Sequence, residues 1–130
     1  MTDRYRRGVE IAHRLAPKSL DKFCAGHVAE VAPDFARMVI EFTFGDLYAR
    51  DELDLQTREI VAIAALASLG HLPQLRQHIP AALQSGLSRS KIVEILMQTA
   101  VYGGFPAALN ALADCHDLLA DESCVGRRCR

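Results

Sequence analysis

Glu59, His71, Gln74 and His78 are the residues whose types and spacing could do chemistry. A carboxylate beside an imidazole is a proton-transfer pair suited to pH near 7. Glu59 stands with Ile63 and Leu66 one and two turns later on the same face of an apolar run. That places its carboxylate at a helical interface, away from water. The competing reading is an acid in the first turns of a helix, favoured by the macrodipole. His71, Gln74 and His78 are spaced i, i+3 and i+7, so one helix would carry them on one face. Two histidines seven apart are not a metal pair, since zinc prefers i, i+4 or a third strong ligand. The expectation from this spacing is therefore no metal. His71 alone reads equally as a cap, and His78 as a satisfied core imidazole.

Glu59 lies 11 residues before Gly70 and His78 lies 8 after it. In an antiparallel hairpin about Gly70 the two rises, at about 1.5 Å per residue, roughly match and bring them face to face. Arg58 is a neighbouring cation able to anchor a ligand carboxylate. The stretch Tyr102 to Ala108, YGGFPAA, offers a second ligand-binding candidate in Tyr102. Its glycines permit close backbone approach, and Pro106 suits a helix start. The bland alternative is a plain helix joint. His13, His27 and His116 have surface-like neighbours and receive no role. Glu94 and Gln98 form an i, i+4 polar pair.

The elements that must position these residues read as helices throughout, because no alternating β-branched run occurs. The first follows Thr2 or Asp3, turns Val9, Ala12, Leu15 and Ala16 inward, and stops at Pro17. A second spans 19–31 with Leu20, Phe23, Cys24 and Val28 on its apolar face. A third opens at Pro33 and buries Phe35, Met38, Val39, Phe42 and Leu47. Asp54 caps a fourth helix that is apolar nearly all round, which predicts full burial. A fifth runs from about Pro73 to Gly86, with a kink or break at Pro80. Ser88 or Ser90 caps a sixth, ended by Gly103 and Gly104, and Pro106 opens a seventh through Ala120. Residues 121–130 read as a frayed tail.

The chain has 130 residues, half of them hydrophobic and 24% charged, which predicts a single globular domain over 1–130. A net charge of −1 gives no electrostatic case for nucleic acid or an anionic membrane. No apolar run is long enough to span a bilayer, and the N-terminus lacks a signal-peptide core, so a cytoplasmic location is expected. Cys24, Cys115, Cys124 and Cys129 are not in CxxC spacing. The fourth and sixth helices are both so apolar that they are hard to bury in one small chain, which predicts a homo-oligomer.

Three segments in order, FGDLYARDELDLQTREIVAIAALASLG, QLRQHIPAAL and GLSRSKIVEILMQTAVYGGFPAALNAL, resemble the carboxymuconolactone decarboxylase family. That family also contains the AhpD-type alkylhydroperoxidases. The resemblance covers about residues 35–119. It implies an all-α, AhpD-like domain of six to seven helices with a core helical hairpin, assembled as a hexamer or trimer. The peroxidase branch places cysteines where this chain has His71 and Gln74, so its thiol chemistry is not expected here. His78, Ile79, Ala82 and Leu83 match the decarboxylase branch, as do Tyr102, Gly104 and Pro106. A tryptophan is usual there at Tyr48, and a small residue at Glu59.

The resemblance implies a cofactor-free decarboxylase of a small lactone, 4-carboxymuconolactone in aromatic catabolism. Glu59 and His78 would be catalytic, and Arg58, His71, Gln74 and Tyr102 would bind substrate. The alternatives are a hydrolase, isomerase or tailoring enzyme using the same pair, and a non-enzymatic oligomeric protein in which the pair is a satisfied structural contact.

Overall fold

The computed structural model describes residues 1–121, and every regular element among them is a helix. Cys124, Cys129 and the rest of 122–130 lie outside the described residues. The chain divides into two compact units, Met1–Arg58 and a second beginning at Glu59.

The first unit contains α1 (Asp3–Leu15), α2 (Pro17–Cys24), α3 (His27–Val31), α4 (Pro33–Val39) and a π-helical segment, Ile40–Tyr48. Thr2 caps α1, its hydroxyl accepting from the Tyr5 amide at 3.1 Å. Pro17 and Pro33 end one helix and open the next, because each lacks the amide a helix interior needs. The expected single helix over 19–31 is two. The Ala25 and Gly26 amides fold back onto Asp21 and Phe23, and Gly26 turns extended before α3. Cys24 and Val28 are consequently exposed.

The inward face of α4 and the π segment also differs from expectation. Phe35, Met38 and Phe42 are exposed, whereas Ala36, Ile40, Glu41 and Gly45 are buried. From Ile40 onward the α-helical period of 3.6 fails, because a π-helix closes i→i+5 bonds and carries a wider turn. Two glycines then decide the packing. A Cβ on Gly8 would lie 2.5 Å from the Ile40 carbonyl, and one on Gly45 would run into the Arg4 carbonyl. The contact of α1 with the π segment therefore goes through backbone at these glycines, beside a core in which Ile40 packs with Ala12 and Leu20, flanked by Tyr5, Val9 and Phe44. Charged groups rim it. Arg4 holds Asp46 through Nη2 at 2.6 Å, Arg7 Nε donates to the Gly45 carbonyl at 2.6 Å, and the Thr2 hydroxyl donates to buried Glu41 at 2.9 Å. The Arg4 guanidinium pulls the Asp46 carboxyl below the usual range.

Helix α5 (Leu55–Leu69) runs from the first unit into the second, which continues with α6 (Leu72–Gln84), α7 (Arg89–Gly103), α8 (Phe105–Asp114) and α9 (His116–Leu119). Asp54 caps α5, accepting from the Thr57 amide at 2.8 Å. Ser88 caps α7, accepting from the Lys91 amide at 3.2 Å. Gly70 ends α5 at φ +75° and Gly104 ends α7 at φ +91°, conformations that favour glycine. The core of this unit gathers Ile63, Leu75, Ile79, Ile92, Leu96 and Cys115, all fully buried. Burial of each large aliphatic side chain contributes about 1.5–3 kcal/mol.

Three expectations are corrected here. Helix α5 is not buried on all sides, since Val61 and Leu69 are 56% and 68% exposed. Of the kink or break expected at Pro80, there is no break: helix α6 continues through the proline, which faces outward beside buried Ile79, Ala81 and Ala82. The last helix is divided at Cys115. Arg76 captures the Asp114 carbonyl at 2.5 Å and the Asp117 carboxylate through two bonds of 2.9 and 2.8 Å. A carbonyl held sideways in this way leaves the helical ladder.

Candidate functional site

Glu59 occupies the second turn of α5, where one face is committed to the core with Ile63 and Ala67. His78 occupies the middle of α6, one residue before fully buried Ile79. The tight turn at Gly70 returns the chain, and the His71 amide bonds back to the Leu66 carbonyl at 2.9 Å. In this hairpin His78 Nδ1 lies 2.9 Å from Glu59 Oε2. The sequence arithmetic about Gly70 thus holds at atomic distance.

The two partners differ in access. Glu59 is wholly buried, and its Oε1 has no hydrogen-bond partner among the described residues. The His78 side chain retains 26% exposure. As a carboxylate Glu59 can only accept, so Nδ1 carries the hydrogen of the shared bond. The outer ring nitrogen, Nε2, is left for other partners. A buried carboxylate oxygen without a donor is costly, about 1–3 kcal/mol or more for a charged group, and structural pairs normally avoid it.

The other expected site residues are dispersed. Gln74 lies one turn before His78 on α6 and is exposed. His71 precedes α6 as its N-cap, so it stands outside the helix that was to carry the three-residue stripe. Arg58 is almost buried, and its guanidinium serves the preceding loop: Nε donates to the Leu53 carbonyl and Nη2 to the Arg50 carbonyl, both at 3.2 Å. The same group lies 5.8 Å from the centre of the Tyr48 ring. Tyr102 is 79% exposed near the end of α7, and a Cβ on its neighbour Gly103 would lie 3.0 Å from Ser68 Cα. Ser68 is nine residues beyond Glu59 on α5. At about 1.5 Å per residue that is roughly 13 Å along the axis. The structure does not bring Tyr102 to the Glu59–His78 pair.

Two arrangements were not legible in the sequence. Arg76 clamps α6 to Asp114 and Asp117, holding the Asp117 carboxyl below its usual range. Only the charge complementarity of residues some 40 positions apart could have signalled it. The second is an open groove of about 650 Å³ in the first unit, lined in part by Arg7, Glu10, His13 and Arg14. Its cations already have local employment. Arg7 binds the Gly45 carbonyl, and Arg14 complements the α1 C-terminus. Burial pushes the Cys115 thiol up, which suits an inert core cysteine. Among the described residues no cluster of three or more His, Cys, Asp or Glu side chains could hold a metal ion. No helix among them is long and apolar enough to cross a membrane.

The second unit is all-helical among its described residues and pairs buried Glu59 with His78 across the α5–α6 hairpin. The chain belongs to the carboxymuconolactone decarboxylase family, whose model matches residues 33–113. It is similar to a 4-carboxymuconolactone decarboxylase from Acinetobacter baylyi, at 25% identity over 91% of this chain and 88% of that protein. It is also similar, at 30% identity over 94% of this chain and 98% of the relative, to an uncharacterized 15.0 kDa protein encoded in the nqo9–nqo10 intergenic region of Paracoccus denitrificans.

Proposed function

We propose that the protein is a cofactor-free decarboxylase of a small cyclic carboxylic acid, with 4-carboxymuconolactone as the leading substrate. The observation that carries this reading is the Glu59–His78 pair, in which His78 keeps some exposure while buried Glu59 has one carboxylate oxygen unpartnered among the described residues. A purely structural contact would be expected to satisfy both oxygens, so the geometry favours a working pair over a binding protein that merely kept the fold. The similarity to a 4-carboxymuconolactone decarboxylase supports the choice of substrate.

The chemistry asks for little. The bond from ring carbon to carboxylate breaks, carbon dioxide leaves, and the electron pair enters the lactone as a dienolate. His78, as imidazolium, keeps its Nδ1 hydrogen on Glu59 and passes the Nε2 proton to carbon. Solvent then restores that proton. Exposed Gln74 and His71 lie on the His78 side of the hairpin turn and are the candidates for holding the retained carboxylate. Arg58 is otherwise engaged. We further propose a cytoplasmic homo-oligomer, hexameric or trimeric, supported by exposed Met97, Val101, Phe105 and Leu109 on α7 and α8.

The test is loss of synthetic 4-carboxymuconolactone followed by ultraviolet absorbance or proton NMR, with and without chelator. Chelator-resistant turnover that falls by about 10²–10⁴ in His78→Ala is the expected result. Well-folded protein without turnover, or unchanged turnover in His78→Ala, would overturn the assignment.

A further inference from the structure

Gly103 packs at Ser68, so Tyr102 stands roughly 13 Å along α5 from Glu59 of its own chain, at about 1.5 Å per residue. Tyr102 lies mostly in solvent, and so do Val101, Phe105 and Leu109 beside it on α7 and α8. No charged residue occurs between Glu94 and Asp114. Large apolar side chains exposed together, with an aromatic among them and no charge, have the composition of an interface core.

A tyrosine covered by a partner still needs a hydrogen-bond partner for its hydroxyl. Val101, Phe105 and Leu109 offer none, so packing this patch against the same patch of another copy would strand that hydroxyl. The outer face of α6 differs. Its exposed residues are Pro73, Gln74, Gln77, Pro80 and Gln84, all uncharged. A helix face turned to water normally carries charges. Arg76, the one arginine of α6, is committed to Asp114 and Asp117. The glutamines supply carbonyl acceptors, and His78 reaches solvent one turn after Gln74. Two charge-free faces of one chain thus complement each other, one apolar with a hydroxyl and one rich in acceptors.

We propose that the α7–α8 patch of one copy covers the α6 face of a second, and that Tyr102 of the first places its hydroxyl at the mouth of the second copy's His78. There the hydroxyl donates to an oxygen of the bound acid. The contact joins two different patches, so it is heterologous, and rotation about an axis closes it into a ring. Each chain then supplies Glu59 and His78 to its own ligand and Tyr102 to its neighbour's. This rests on the preceding reading for the class of ligand and for assembly.

The first test coexpresses two variants in equal amounts and isolates their mixed oligomers through two different tags. Tyr102→Phe alone should raise the half-saturating concentration of 4-carboxymuconolactone about 3- to 10-fold. His78→Ala keeps Tyr102 but lacks turnover. In the mixed oligomer about half of the active sites should regain the wild-type half-saturating concentration, because their neighbour is a His78→Ala chain. If every active site keeps the Tyr102→Phe value, or if Tyr102→Phe changes nothing, the shared site is overturned.

The second test needs no turnover and no His78 variant. In a background with Cys24→Ser, Cys124→Ser and Cys129→Ser, chains carrying Tyr102→Cys are coassembled with differently tagged chains carrying Gln74→Cys. A short bismaleimide should join the two tags in one product. Absence of that product would overturn the shared site even in a protein that decarboxylates. The product in a protein without turnover would uphold the shared site and sink the substrate assigned above. A monomeric wild type would sink the proposal outright.

Discussion

Arg76 grips Asp117 through two parallel bonds of 2.9 and 2.8 Å, and it does so from the helix that carries His78 two residues later. The same guanidinium holds the Asp114 carbonyl at 2.5 Å. One side chain thus ties α6 to the end of α8 and to α9. The Asp117 carboxyl is held below its ordinary value by this bond. A carboxyl depressed in the folded state adds stability above its unfolded value, about 4, and loses it as pH falls through the folded one. Thermal melts from pH 2 to 7 should therefore show a shallower acid limb in Asp117→Asn than in the wild type. Both groups are substantially exposed, so the difference should be small and should shrink in high salt.

The His78–Glu59 pair makes a separate stability prediction. Removing His78 strands a fully buried carboxylate, and losing one partner of a buried pair costs about 3–5 kcal/mol. Because His78 is 26% exposed, we expect His78→Ala to cost less, about 1–3 kcal/mol, in urea unfolding. Glu59→Leu combined with His78→Leu should recover most of that loss while abolishing activity. A double variant no more stable than His78→Ala would contradict this account.

Close backbone approach through Gly8 and Gly45 is the most sterically demanding feature of the first unit. Gly8→Ala and Gly45→Ala each place a methyl group against a backbone carbonyl that cannot yield without moving a helix. Each should lower stability by about 1–3 kcal/mol, despite the better helix propensity of alanine. Circular-dichroism melts will read the change. An unaltered melting temperature would mean that α1 and the π segment are less tightly docked than described.

The proposed oligomer puts Val101 and Leu109 to use. They are 76% and 62% exposed on neighbouring helices of one hairpin. Val101→Glu with Leu109→Glu should reduce the mass found by light scattering without unfolding the chain. A wild-type protein that is itself monomeric would refute the assembly.

Local signals in the sequence determined much of this protein. Thr2 or Asp3, Asp54, and Ser88 or Ser90 marked helix starts, Pro17 and Pro33 marked junctions, and Gly70 and the Gly103–Gly104 pair marked ends. Each acts on groups within a few residues, through a missing amide, a side-chain acceptor or a permitted positive φ. The Glu59–His78 encounter was legible for the same reason, since a tight hairpin makes contact a matter of counting from the turn. Tertiary structure alone decided the rest. The face buried in α4 and the π segment depended on two glycines 37 positions apart meeting backbone to backbone, which no 3.6-residue period encodes. The division at Cys115 depended on Arg76, some 40 residues away, pulling one carbonyl aside. The dispersal of Arg58 and Tyr102 followed from packing partners that only the folded chain supplies. Short-range hydrogen bonds and steric limits are written in neighbouring residues; long-range packing is settled only when distant surfaces compete for the same space.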